Sequence, residues 1–296
     1  MKNKKAVKLL ATINILAMLT MLGQPVVKAQ QPKDIYPVEI NETNFPDELI
    51  RKDIINIVDD NKDGKIEKSE ADKVHYYSIN FYEGLGKLEK YNTGLGEFVD
   101  EPATINLKGL EVLENLEELS VGIEHKIKLE NLSTVEKFKK LKKLILLNGT
   151  NTALDKINLE NNKNLNTLVI CGKLKNKNLN FIKKNKELKN VNFTYLRGIK
   201  TLDFSKNKKL KNVVIAEGDF KKINFGKNSN LTKLQIDMSN KFTGLNIKGL
   251  KKLKKLRITQ CNKIKRIYSG KKQKVKSVKV KDCKRISKKD VKRIKK

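Results

Sequence analysis

The spacing apolar-x-x-apolar-x-apolar recurs eight times from residue 116 onward. The first units read Leu116, Leu119, Val121 and Leu141, Leu144, Leu146. Later units open at Leu165, Leu188, Leu210, Leu231, Leu253 and Val275. The steps between opening residues are 25, 24, 23, 22, 21, 22 and 22, a register too steady for chance alternation. The last two apolar positions of each unit alternate with other residues, so they point to one face of a short strand. One such strand cannot bury that face alone. Stacking the units in parallel gives a continuous core and a shared ladder of backbone hydrogen bonds. The pattern therefore predicts an α/β solenoid, a curved parallel stack of about eight coils over residues 104–296. The ladder would be on the order of 35–40 Å long.

A second apolar pair recurs on the return side of many units: Ile105/Leu107, Ile127/Leu129, Ile157/Leu159, Leu202/Phe204, Ile223/Phe225 and Leu245/Ile247. These pairs are expected to fill the core from the opposite wall. Return segments such as Ser205-Lys206-Asn207-Lys208-Lys209 favour turns over long helices.

The unit resembles the leucine-rich repeat, whose core reads LxxLxLxxN/CxL. Cys261 and Cys283 occupy the ninth position in the last two units, with Ile264 and Ile286 three residues on. In the other six units that position holds Glu124, Gly149, Lys173, Leu196, Gly218 and Ser239, so the asparagine ladder of the repeat is expected to be mostly missing.

A different chemistry precedes the repeats. Asp59-Asp60-Asn61-Lys62-Asp63-Gly64-Lys65-Ile66-Glu67-Lys68-Ser69-Glu70 matches an EF-hand calcium loop. Asp59, Asn61 and Asp63 place oxygens at positions one, three and five, and Gly64 permits the sharp turn. Lys65 offers its backbone carbonyl, Glu67 acts directly or through water, and Glu70 can chelate with both oxygens. Pro46–Val58 reads as an entering helix with Leu49, Ile50, Ile54 and Ile57 on its apolar side, and Lys68–Val74 as the start of an exit helix. A single loop suits a structural Ca2+ ion better than a sensor. Asn44-Phe45-Pro46-Asp47, this loop, and then Leu107-Lys108-Gly109-Leu110 resemble the secreted leucine-rich-repeat proteins of Gram-positive bacteria, internalin-like in general character. That resemblance implies an extracellular role in binding and fixes no ligand. The stretch from His75 to Thr104 departs from the family and is read as part of a cap with a loop.

Residues 1–29 read as a secretory signal peptide: a basic start, an apolar run over Leu9–Val27, and Val27-Lys28-Ala29 before a mature start at Gln30. Residues 30–103 then form the EF-hand cap. No second apolar run is long enough to span a bilayer.

The charge of +32 is unevenly spread. Residues 30–131 carry 12 Lys or Arg against 23 Asp or Glu, whereas residues 250–296 carry 22 against 2. Lysine filling neutral surface positions can account for the middle of the chain, though not readily for that basic end. In a leucine-rich repeat the residues between the buried ones face outward on the concave sheet. There the centre offers Ile145, Leu147, Val169, Val214 and Ala216, an apolar patch with no role in the core. The later units offer Lys233, Lys255, Arg257, Lys279 and Lys281. The first set suits an extracellular protein or glycan. The second suits an anionic polymer such as teichoic acid or a glycosaminoglycan, and a solvated face without a partner is the plain alternative. Aromatic residues make up only 6%, so specific nucleic-acid binding is not expected.

Cys261 and Cys283 should stack on neighbouring coils about 5 Å apart, within reach of a disulfide. Two buried thiols are the favoured reading, and Cys171 is expected at an exposed position. The two histidines, His75 and His125, have no partner motif, and no HExxH, GxSxG, GxGxxG or Walker A sequence occurs. A non-enzymatic binding protein is expected.

Overall fold

The repeats fold into one parallel sheet. The structure, a computed structural model, describes residues 35–80, 104–123, 127–149, 152–228 and 230–295. The expected signal peptide, Gly84, Gly86, Gly94, Gly96, Glu124 and His125 lie outside them.

In chain order the strands are β1 (Val38–Glu39), β2 (Lys65–Ile66), β3 (Tyr76–Asn80), β4 (Thr104–Asn106), β5 (Glu118–Ile123), β6 (Lys128–Glu130), β7 (Lys143–Asn148), β8 (Thr167–Cys171) and β9 (Asn190–Thr194). They continue with β10 (Thr201–Asp203), β11 (Asn212–Ala216), β12 (Lys222–Asn224), β13 (Lys233–Asp237), β14 (Gly244–Asn246), β15 (Lys255–Thr259), β16 (Arg266–Tyr268) and β17 (Ser277–Lys281). The main sheet has nine strands in the order β17-β15-β13-β11-β9-β8-β7-β5-β3. Eight are the apolar repeats. The ninth, β3, comes from the stretch read as cap and loop, and pairs Tyr77 with Leu119 and Ile79 with Val121.

Each opening leucine through Leu253 is buried, as are the two apolar residues that follow it. Only the last strand leaves its inner pair, Val278 and Val280, half-buried. The return-side pairs are all buried, and some form short parallel ladders: β4 with β6, β10 with β12, and β14 with β16. Phe204 stacks between Phe193 and Phe225, with ring centroids 6.4 and 5.8 Å away, joining the two walls.

Two devices hold the coils in register. The first is an asparagine ladder, placed three residues before the opening leucine rather than nine residues into the unit. Asn162, Asn185, Asn207 and Asn228 are fully buried. Asn185 donates to the carbonyls of Leu159 (2.7 Å) and Asn162 (3.1 Å) in the preceding coil. Asn207 donates likewise to Ile182 and Asn185, both at 2.8 Å. Each of these carbonyls also accepts an amide of its own turn, and the asparagine adds a second donor that ties one coil to the next. The expectation of a mostly missing ladder holds for the ninth position and fails for the coil. In other coils the equivalent place is filled by Leu113, Phe138 and Leu250, all buried.

The second device lies just past the strands. Tyr195, Glu217, Met238, Gln260 and Asp282 all have φ between 48° and 56°. This left-handed conformation costs a non-glycine residue roughly 1–2 kcal/mol. Each turn lets the amide reach the next coil: Tyr195 to Ala216 O (3.1 Å), Glu217 to Asp237 O (3.0 Å), Met238 to Thr259 O (2.9 Å) and Gln260 to Lys281 O (3.0 Å). The turn also directs the ninth residue inward, so Leu196, Ser239 and Cys261 are buried.

At the other end, the two stretches that carry the family resemblance meet. Asp47 caps the helix Glu48–Asp53 by accepting from Ile50 N, and its second oxygen accepts from Asn106 N of β4 at 2.8 Å. Phe45 is fully buried beside Gly109, where any Cβ would lie 2.4 Å from the phenyl ring. The entering helix widens to a π-helix over Ile54–Val58. That change of pitch turns Ile57 outward (45% exposed) and Val58 inward, against the α-helical expectation for Ile57.

Candidate functional site

Strand pairing places the outward residues of the sheet in three straight rows. The middle row runs Ser120, Ile145, Val169, Asn192, Val214, Gln235, Arg257, Lys279. The row beside it on one side includes Glu118, Lys143, Lys233 and Lys255, and on the other Gly122, Leu147, Cys171, Ala216, Asp237 and Lys281. The candidate ligand residues therefore share one surface, because a parallel sheet in register aligns every equivalent side chain.

Their exposure differs from expectation in detail. Ile145 and Val169 are neighbours and partly exposed. Val214 is also partly exposed but is separated from them by Asn192. Leu147 is not part of the exposed patch: it is only 3% exposed. The apolar surface is therefore the Ile145–Val169 pair with polar Asn192 beyond it.

The cationic comb is also modified. Lys233, Lys255, Lys279 and Lys281 are exposed. Arg257 is held by Asp237, with Nε 3.4 Å from Oδ1. Asp237 is nearly buried and also accepts from Gln235 (2.5 Å) and from the Thr259 hydroxyl. An acid thus sits inside the comb and weakens its field for a polyanion. The rim carries residues the repeat pattern did not single out. Tyr195 and Met238, at the left-handed positions, are 46% and 40% exposed. Glu217, at the equivalent position of the next coil, hydrogen-bonds the Tyr195 hydroxyl and raises its pKa. Tyr and Met at a rim suit partner binding. The signal for them was available, since both stand eight residues into a unit.

The candidate calcium loop has the turn structure of its motif. Gly64 takes φ 81° and donates to Asp59 Oδ2 at 3.1 Å. Asn61 Oδ1 accepts from Asp63 N and Asp63 Oδ1 from Lys65 N, both at 2.9 Å. Glu70 accepts from Asp60 N (2.8 Å), Asn61 N (3.4 Å) and Glu67 N (3.0 Å). Burial opposes its ionisation, but those amides together hold its pKa below the usual value. The hydrogen bond to Glu70 is the main cause of the raised pKa of Glu67. β2 pairs antiparallel with β1, Ile66 opposite Val38, and Ile66 is fully buried. Asp59 Oδ1 is buried with no partner, an oxygen left over for a cation. Against this, no three Asp, Glu, His or Cys side chains among the described residues are gathered as a metal cluster. The donor set and the orphan oxygen fit calcium, whereas the side chains mainly cap backbone amides.

None of the three cysteines forms a disulfide. Cys283 Sγ accepts from Cys261 N at 3.4 Å, so the two do stack on adjacent coils. Burial is the main cause that pushes the Cys261 thiol up to about 12, which makes it unreactive. Cys171 is half-buried rather than fully exposed.

No protein-family model matches the chain, and no curated protein sequence matches it. Solved structures do resemble it. Internalin C2 from Listeria monocytogenes shares 14% identity over 68% of this chain and 87% of its own, with a TM-score of 0.41. The functional domain of InlJ from Listeria monocytogenes, described as including a cysteine ladder, shares 15% over 86% of this chain and 63% of its own, at 0.37. The internalin InlF from Listeria monocytogenes shares 14% over 84% and 94%, at 0.33. Likeness at this level carries no inference about function. Among the described residues, no helix is long and apolar enough to cross a membrane.

Proposed function

We propose that this is a secreted, non-enzymatic binding protein that recognises an extracellular protein through the outward face of its nine-stranded sheet. One observation carries the reading: Ile145 and Val169 stand side by side in the middle row, partly exposed, where the core has no use for them. β-branched residues suit a strand on either face, but a neighbouring pair of them on the solvent side with a polar surround also suits a small contact centre. Tyr195 and Met238 supply further anchoring surface at the rim. The embedded Asp237 favours a protein partner over a uniform polyanion on this face. The absence of any catalytic motif in the sequence supports a binding role, and the basic start and apolar run of residues 1–29 support export.

In this reading calcium is structural. Asp59, Asn61, Asp63, Glu67, Glu70 and the Lys65 carbonyl would hold it, and the ion would stiffen the loop that carries β2. The test of the binding face is charge insertion. Ile145→Asp with Val169→Asp should abolish binding to protein-bearing cell surfaces, with a fall in Tm of a few degrees because the two carboxylates face each other across paired strands. Lys279→Gln with Lys281→Gln should leave binding within about threefold. Equal binding by the aspartate variant would overturn the proposal.

A further inference from the structure

The return side of the solenoid contains a groove that the repeat alone does not require. β12 is bonded to β10, and β14 to β16, but no ladder joins β12 to β14. The break leaves a groove of about 1190 Å³ between the two strand edges. The groove is open to solvent rather than an enclosed pocket, so a chain can lie along it.

Its lining is chemically one-sided. Lys221, Lys222, Lys227, Lys248 and Lys251 line it, and no Asp or Glu does. None of the five forms a salt bridge among the described residues. Asp203, bonded to Asn224 at one edge, is neutralised by Lys183 at 3.0 Å. A second hollow of about 520 Å³ shares Lys248 and Lys251 and adds Lys272, so the basic surface continues along the axis.

The rest of the lining points to the kind of anion. Tyr268 is 47% exposed in the groove, and its ring lies over Gly244, where a Cβ would come within 3.3 Å of Cε2. An open aromatic face beside unpaired cations suits a saturated ring that lays a C–H face on the aromatic and carries anionic groups at its edge, as an acidic sugar does. Thr243 and Asn246 add neutral polar groups for hydroxyls. Ile223 and Phe225 are buried in the floor, so the groove offers no apolar pocket for peptide side chains. We infer that the groove between β12 and β14 binds an acidic polysaccharide, its sulfates or carboxylates on the lysines and one sugar ring on Tyr268. This site is separate from the sheet face, and each can fail without the other.

The test uses the full mature chain and a labelled heparin octasaccharide, with its desulfated, N-acetylated form and a linear polyphosphate of equal charge as comparisons. The octasaccharide should bind at about 0.15 M salt and weaken steeply as salt rises. Lys222→Gln, Lys248→Gln and Lys251→Gln together should weaken it at least about tenfold. Tyr268→Ala should weaken it about fivefold, and Tyr268→Phe should retain it, since the ring rather than the hydroxyl makes the contact. Lys279→Gln with Lys281→Gln should leave it unchanged. Absence of binding, or groove variants that bind like the parent, would overturn the inference. So would polyphosphate bound as tightly as the sugar with Tyr268→Ala silent.

Discussion

The Tyr77 hydroxyl donates a 3.0 Å hydrogen bond to Oδ2 of Asp53, and both groups are buried. Tyr77 belongs to the first strand of the sheet and Asp53 to the entering helix of the cap, so this bond fastens one to the other. Asp53 Oδ1 has no partner. Tyr77→Phe removes the one donor to the carboxyl among the described residues, at almost unchanged volume. It should cost about 1–3 kcal/mol in denaturant unfolding, the penalty for a buried polar group left unpaired.

The same pair sets a pH dependence. Burial raises the Asp53 pKa, opposed by the Tyr77 hydrogen bond and reinforced by the charge of Asp47. The folded state then holds a proton that the unfolded state has released, so stability falls as pH rises from the ordinary Asp value through the raised one. Asp53→Asn should flatten that fall, measured as Tm against pH. A slope unchanged in the variant would assign the effect elsewhere.

The buried ladder should be costly to break. Asn185→Ala removes two bonds to carbonyls of the preceding coil, leaving each with only the amide of its own turn, and opens a cavity in the core. A loss of about 1–3 kcal/mol is expected, roughly the net worth of two buried hydrogen bonds. Asn164 also donates to a carbonyl of the preceding coil, Lys139 O at 3.0 Å, but it is exposed. Asn164→Ala should change stability by less than about 0.5 kcal/mol.

The left-handed turns predict residue preferences that no contact would reveal. At Gln260, φ is 52°. Gln260→Val should cost about 1–2 kcal/mol because a β-branched side chain tolerates that conformation poorly. Gln260→Asn should stay within about 0.5 kcal/mol. Chemical denaturation of both variants checks this.

Calcium at about 2 mM should raise the Tm of the parent by a few degrees, the effect of roughly 2 kcal/mol from a site with Kd near 10⁻⁴ M. Asp59→Ala should abolish the calcium-induced shift whatever it does to the starting Tm. No shift in the parent would leave the loop as a hydrogen-bonded turn alone.

Most of the architecture was legible because the repeat states it directly: every unit from Leu116 to Ile258 buries the three residues its spacing selects. β3 was missed because Tyr77 and Ile79 are a lone alternating pair without the opening leucine. The asparagine ladder was overlooked although Asn162, Asn185, Asn207 and Asn228 recur at 23, 22 and 21 residues, since it was sought at the ninth position. Leu147 and Arg257 were misjudged for another reason. Row position fixes which side of the sheet a residue leaves, while exposure and charge depend on what surrounds it, as Asp237 does Arg257. The groove could not be read at all, because a missing ladder between β12 and β14 leaves no mark in a spacing of 22 residues.

The most direct test is retention of residues 30–296 on intact cell surfaces at about 0.5 M salt, where contacts between exposed charges are largely screened. The account predicts saturable binding that survives this salt, is lost after protease treatment of the surface, and is lost with Ile145→Asp and Val169→Asp. Binding that vanishes at that salt, or that survives in the aspartate variant, would contradict it.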